Sequence, residues 1–246
     1  MALIVNADDF GKDESVTSAI CEAFEKGLIQ RTTLMTNMPF AKEAMDLARK
    51  CGFDDRVGIH INLTSGTPLT DGIKKDPVMC NEAGDFSAEF ARNKKTRFFL
   101  PKDTKRHVES ELRAQLDRYA ELGGTLWHID SHHHVHTDPS VYSVLKKVIK
   151  DYPVTSIRLS RNMFRGKNPL MRLYKTIFNT SVRKYCRVCP DYFGSAEDYR
   201  DFLTDHPDIA KTSEVEVMVH PVYDDNGILS DEYMDRYHKL GKMTED

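Results

Sequence analysis

The stretch Trp127-His128-Ile129-Asp130-Ser131-His132-His133-His134-Val135-His136 decides how this chain is read. Five of its ten histidines fall inside these ten residues. A solvated loop has no use for that density, whereas neutral imidazole is the commonest protein ligand for zinc and similar ions. An affinity tag would be terminal and unbroken, and this run is internal and interrupted. In an extended strand, alternate residues share a side. That parity sets His128, Asp130, His132, His134 and His136 on one side, and Ile129, His133 and Val135 on the other. The expectation is a short strand that leaves the core and aims several of these groups at one point.

Other strands end in the same way. The apolar run from Ala2 to Asn6 reads as a buried strand and stops at Ala7-Asp8-Asp9-Phe10-Gly11. Two adjacent carboxylates there are costly unless something cationic neutralises them. A metal ion would do so, one carboxylate binding it and the other staying free as a base. An N-cap for the helix expected over 15–26 is the plainer use of an Asp at this point, and the two uses are compatible. Val57 to Thr64 reads as a further strand, with His60 and Asn62 on one side and Ile59, Ile61 and Leu63 on the other. Val154 to Arg161 reads as a strand carrying Arg158, whose fork can orient a carboxylate or a substrate oxygen, or pair at the surface. Glu214 to Val219 is an apolar strand ending in His220-Pro221, where the proline stops the strand as His220 emerges.

Between these runs lie helical patterns. Residues 41–50 and 105–122 are amphipathic, the second ending at Gly123-Gly124, and 139–149 opens on proline. Further strand character falls at 28–35, and helical segments are expected at 196–203 and 231–240. The alternation of strand and helix predicts a parallel sheet closed, or nearly closed, into a (β/α) barrel. Catalytic groups in such folds gather at the C-terminal strand ends, where Asp8, Asp9, His60, His132, Arg158 and His220 all fall. The whole of 1–246 is expected to be one domain, with long loop insertions near 65–103 and 162–193. The first of these is expected to shape or cover the site.

Composition narrows the partners. With 246 residues and a net charge of −3, no general affinity for nucleic acid is implied. No apolar run approaches the roughly 20 residues needed to span a bilayer, and the chain enters a strand without a leader pattern, so a cytoplasmic location is expected. The five cysteines are odd in number and irregular in spacing, against a disulfide framework. Cys186-Arg-Val-Cys189 lacks a second pair and reads as two reduced thiols without catalytic consequence.

Taken together, Asn6-Ala-Asp-Asp-Phe-Gly11, Gly58-Ile-His60, the Thr64 to Leu69 segment, the histidine stretch and Glu216-Val-Met-Val-His-Pro221 resemble the YdjC-like carbohydrate deacetylases, which include the chitooligosaccharide deacetylases. The resemblance implies a distorted (β/α) barrel related to the NodB-type deacetylases. It implies one divalent ion, zinc or magnesium, held by Asp9, His60 and His132. It places Asp8 as general base and His220 as the acid. Arg158, His134 and His136 are then candidates for substrate contact. The implied substrate is a short oligosaccharide such as chitobiose, whose N-acetylglucosamine acetamide is hydrolysed. A different metal hydrolase on the same scaffold, cleaving a phosphoester or another amide, and a non-catalytic metal-binding relative are the alternatives. A homodimer is left open. The chain after Pro221 is shorter and more polar than the family pattern, which makes barrel closure a question for the structure.

Overall fold

The computed structural model describes residues 3–163, 168–233 and 236–243. Seven strands form one parallel sheet: β1 (Leu3–Phe10), β2 (Arg31–Leu34), β3 (Val57–Ile61), β4 (His128–Ser131), β5 (Ser156–Ile157), β6 (Tyr192–Ser195) and β7 (Val215–Val219). Their spatial order is β5-β4-β3-β2-β1-β7-β6. Each crossover carries a helix or helical turn, as parallel neighbours require. The sheet curls into a half-barrel, which agrees with the distorted α/β barrel expected.

The helices bury aliphatic stripes against one face of the sheet. Ala19, Ile20 and Ala23 do so from the Glu14–Glu25 helix, and Val108, Leu112, Leu116 and Tyr119 from the Lys102–Glu121 helix. They meet Val5, Ala7, Ile59, Ile61, Ile129, Val217 and Val219, all 2 % exposed or less. Each such side chain contributes about 1.5–3 kcal/mol through removal from water. The opposite parity of the same strands is polar. Asn6, Asp8, His60, His128, Asp130 and Glu216 lie there, all nearly fully buried. An interior lined this way must satisfy its own charges.

Between edge strands β5 and β6 there is no ladder, yet the gap is bridged. The Asn162 N–H donates to the Phe193 carbonyl at 3.0 Å, and the Phe193 N–H donates to Asn162 Oδ1 at 2.7 Å. Among the described residues Asn162, with the Met163 N–H 3.5 Å from the same Phe193 carbonyl, links the two edges of the half-barrel, and no strand following Pro221 joins this sheet.

Several expectations need correction. The 231–240 segment forms strands, not a helix. Among the described residues, β8 (Pro221–Tyr223), β9 (Leu229–Tyr233) and β10 (Arg236–Lys239) make a separate antiparallel sheet. Long-range pairing overrides the helical composition there: Asp231 accepts the His220 N–H at 2.7 Å, and Leu229 and Leu240 are buried. Pro221 does end β7, but it also opens β8, a first-residue position that tolerates its missing N–H. The strand read over 154–161 shrinks to Ser156–Ile157, leaving Arg158 just past its end. Of the insertion near 162–193, residues 164–167 lie outside the described residues, and Pro169–Arg183 is a helix. The 65–103 insertion folds onto the Lys102–Glu121 helix, where Glu111 accepts the N–H groups of Leu69 and Thr70 at 3.0 and 2.9 Å.

Candidate active site

The C-terminal ends of β1, β3, β4 and β7 open into a cavity of about 420 Å³. Asp8, Asp9, His60, His132, His133, His134 and His220 line it. Pro221, Val222, Glu232 and Tyr233 of the small antiparallel sheet supply a further wall. Among the described residues none from the 65–103 insertion does so, because that loop is committed to Glu111. A hollow of about 880 Å³ between the first two helices brings no comparable set of groups together.

Two neighbouring strand residues normally point to opposite faces, but Asp8 and Asp9 share this cavity. The pairing of β1 with β2 shifts register between Ala7 and Phe10, and Asp9 has φ 71°. A left-handed aspartate at a strand end is uncommon and strained, and here it turns both carboxylates the same way. Gly11, φ 80°, lets the chain turn immediately afterwards. Neither Asp8 nor Asp9 caps the following helix; Asp13 does, accepting the Val16 N–H at 2.8 Å.

Asp9 is the meeting point. Its Oδ1 lies 3.1 Å from His60 Nε2 and 2.8 Å from His132 Nδ1. One donor atom from each of Asp9, His60 and His132 lies within 4.8 Å of the others. His60 is oriented from behind: Asp130 Oδ1 is 2.7 Å from its Nδ1, and Thr33 donates to Asp130 Oδ2 at 2.9 Å. Burial alone would push the His60 imidazole down, but Asp130 and Asp9 lift it to about 10. Burial would likewise raise Asp9, yet His132 and His60 hold it well below the usual range. A buried field that retains a proton on imidazole against desolvation is one that would accept a cation. Two imidazoles and one carboxylate beside an open cavity fit a divalent ion, zinc best.

Asp8 stands beside this trio. Burial would raise its carboxyl, but Arg158 holds it well below the usual carboxylate range. The guanidinium grips Asp8 with both terminal nitrogens, at 2.6 and 2.7 Å. It also reaches Asp130 at 2.8 Å and Glu216 at 2.7 Å. Arg158 is fully buried. It therefore has no surface for the substrate contact expected of it and acts as the tether of three carboxylates.

The histidine stretch departs from its expected alternation. β4 ends at Ser131, and 132–137 is a tight helical turn with His133 and His134 at φ 52° and 55°. His136 is buried, its Nε2 3.1 Å from the Arg158 carbonyl, so it braces the turn and faces no substrate. Burial pushes its imidazole down to about 3. His134 does reach the cavity and sits 3.5 Å from Arg161. His133 stacks on His132 at 4.0 Å; burial and His132 push it down to about 4. His220 lines the cavity. Asn62 turns away from it: its Oδ1 accepts the N–H groups of Thr64 and Ser65 and so shapes the loop.

Sequence reasoning gave no role to Asp130, Glu216, Arg161 or Lys12. Asp130 and Glu216 had a legible signal, each being a charge at a central position of a buried strand. Arg161 and Lys12 had none. Arg161 bonds the Tyr233 hydroxyl at 2.5 Å from the far end of the chain, and Lys12 lies 3.4 Å from Asp9 Oδ2.

A family model described as YdjC-like protein matches residues 2–244. A carbohydrate deacetylase of Geobacillus stearothermophilus is 36 % identical over 224 residues, covering 90 % of this chain and 80 % of the relative. One of Brevibacillus brevis is 32 % identical over 237 residues, covering 94 % and 85 %. A solved structure from Enterococcus faecalis, provisionally described as a cellobiose-phosphate cleavage protein, superposes with a TM-score of 0.68 at 26 % identity, over 92 % of this chain and 82 % of that one.

Proposed function

This chain belongs to the YdjC-like family, and from that premise we propose that it is a carbohydrate deacetylase, a hydrolase that cleaves the acetamide of N-acetylglucosamine units in short oligosaccharides such as diacetylchitobiose. Its curated relatives carry the name carbohydrate deacetylase. The observation that carries the reading is the division of labour between two adjacent aspartates. Asp9 faces two imidazoles, while Asp8 stands free of that trio and is held ionised at the same cavity.

Asp9, His60 and His132 would hold the divalent ion. Bound there, zinc or magnesium would polarise the acetyl carbonyl and ease deprotonation of water. Asp8 takes the proton of the attacking water. Arg158 keeps it ionised and aimed, at some loss of basicity, so the proton passes on quickly. His220 delivers a proton to the departing nitrogen, which cannot leave as an amide anion. Acetate and a free amino sugar result. Glu232, Tyr233 and Arg161 border the same space and offer a carboxylate, an aromatic face and a cation to the sugar.

A two-metal phosphoesterase fits less well. Among the described residues the other clusters of suitable donors are Asp8, His60 and Asp130, and His128, Asp130 and Glu216. Arg158 already bonds the carboxylates of both. A fixed guanidinium supplies the positive charge that a second ion would bring.

The test is acetate release from diacetylchitobiose by purified protein, with and without a chelator, and by His132→Ala. Acetate that appears only with metal and intact His132 is expected. Hydrolysis that persists in both controls, or turnover of a simple phosphoester in its place, overturns the assignment. No described helix is long and apolar enough to cross a membrane.

A further inference from the structure

The outer edge of β5 is covered by the Cys186-Arg-Val-Cys189 segment. The Arg187 N–H donates to the Thr155 carbonyl at 2.8 Å. Two residues on, the Ile157 N–H donates to Cys186 Sγ at 3.2 Å, so a sulfur takes the place of a strand carbonyl. Cys186 Sγ and Cys189 Sγ each lie 3.8 Å from the Ile157 carbonyl oxygen. The two sulfurs are also in hydrogen-bond contact with each other. Both residues are half-buried and free.

Two features act on Cys186 together. A backbone N–H points at its sulfur, and Arg183 favours its thiolate against the opposing Glu216 carboxylate. From Arg161 to Pro190 the sequence contains no Asp or Glu, and Arg183, Lys184 and Arg187 flank the pair. Donors and cations of this kind favour thiolate over thiol.

We propose that Cys186 and Cys189 are a redox-active dithiol, with Cys186 as the attacking sulfur and Cys189 as the resolving one. The Ile157 N–H on Cys186 Sγ marks that sulfur as the attacking one, and contact between the two sulfurs lowers the Cys186 thiol while it raises the Cys189 thiol. Cys21 and Cys51 also touch, but burial and Cys51 push the Cys21 thiol up to about 11.

With a glutathione-type disulfide as oxidant the step balances. Cys186 thiolate attacks one sulfur of oxidised glutathione, a Cys186–glutathione bond forms, and one glutathione thiolate leaves and takes a proton. Cys189 loses its proton, attacks Cys186 Sγ and expels the second glutathione as thiol. The protein sulfurs are oxidised by two electrons and the glutathione disulfide is reduced by two. The ring so formed lies against Ile157, one residue before Arg158.

The experiment reads thiols and is independent of hydrolysis. Native protein in chelator at pH 7 is treated with limiting iodoacetamide, and the alkylated cysteines are mapped. Cys186 is expected to react at least ~10-fold faster than exposed Cys51. Excess oxidised glutathione is expected to give an intrachain Cys186–Cys189 disulfide without a lasting adduct, whereas Cys189→Ala traps glutathione on Cys186. Cys186 reacting no faster than Cys51, or both thiols surviving the oxidant, overturns the proposal. The wild-type measurements decide it even if Cys189→Ala fails to fold.

Discussion

His60 and Asp130 are register partners on adjacent parallel strands, with Asp130 Oδ1 2.7 Å from His60 Nδ1. The pairing leaves Nε2 of the same ring facing Asp9. A carboxylate behind a ligand imidazole fixes its tautomer and its aim, and losing one typically costs 10–100-fold in metal affinity, to order of magnitude. Asp130→Asn should therefore weaken zinc binding by roughly that factor. Competition against a chromogenic chelator measures it. An unchanged dissociation constant would mean that His60 does not need this support.

Asp8 and Asp9 should separate cleanly on substitution. Asp8→Asn keeps the size of the side chain but retains one acceptor for Arg158 and cannot take a proton. A fall in kcat of at least ~10²-fold is expected, with metal content retained. Asp9→Asn should instead lose the metal. Equal metal loss in both variants would show that the aspartates share one task, and near wild-type turnover in Asp8→Asn would remove it as base.

Which parts of this site could be read from sequence follows from where the information lies. Composition and parity mark the Asp8-Asp9 doublet, His60 and the histidine run, each at a strand end, whereas the choice of Asp9 and His132 within them rests on the resemblance. The side His136 takes is not legible from strand parity, because the chain leaves the sheet after Ser131 and His133 and His134 go left-handed. For Arg158 the sequence leaves open whether the fork holds a carboxylate, a substrate oxygen or a surface partner. Its place at a strand end is local, but its carboxylate partners come from β1, β4 and β7, and only folding shows that they consume its whole fork. The C-terminal strands were missed because helix-favouring composition in 231–240 gives way to pairing with β8.

Glu216 should dominate part of the acid response. Burial would raise its carboxyl, but Arg31 and Arg158 bring it down from 4.5 to about 2. A depressed carboxylate stabilises the fold above its unfolded value. That contribution is lost as pH falls from about 4.5 toward 2. Urea midpoints of wild type should drop through this window. Glu216→Gln, less stable at pH 7 because Arg158 loses a partner, should fall with a shallower slope, by at most ~1.4 kcal/mol per pH unit. Parallel slopes would place the acid sensitivity elsewhere, in Asp8 or Asp9.

Gly11 offers a test of how tightly the site's floor is built. At φ 80° a side chain is strained whatever the space, and here a Cβ would also meet Leu34 Cδ1 at 2.9 Å and the Ala41 backbone at 3.1 Å. Gly27, φ 66°, is strained in the same sense but has nothing within 4 Å. Gly27→Ala should therefore cost only the backbone term, roughly 1 kcal/mol. Gly11→Ala adds a collision with a packed helix and should cost about 2–3 kcal/mol. Because Gly11 follows Asp9 by two residues, the same shift should loosen metal binding, which Gly27→Ala leaves alone. Equal losses for the two variants in urea denaturation would mean that the turn after Asp9 can relax, and that the carboxylate pair is not held by this packing.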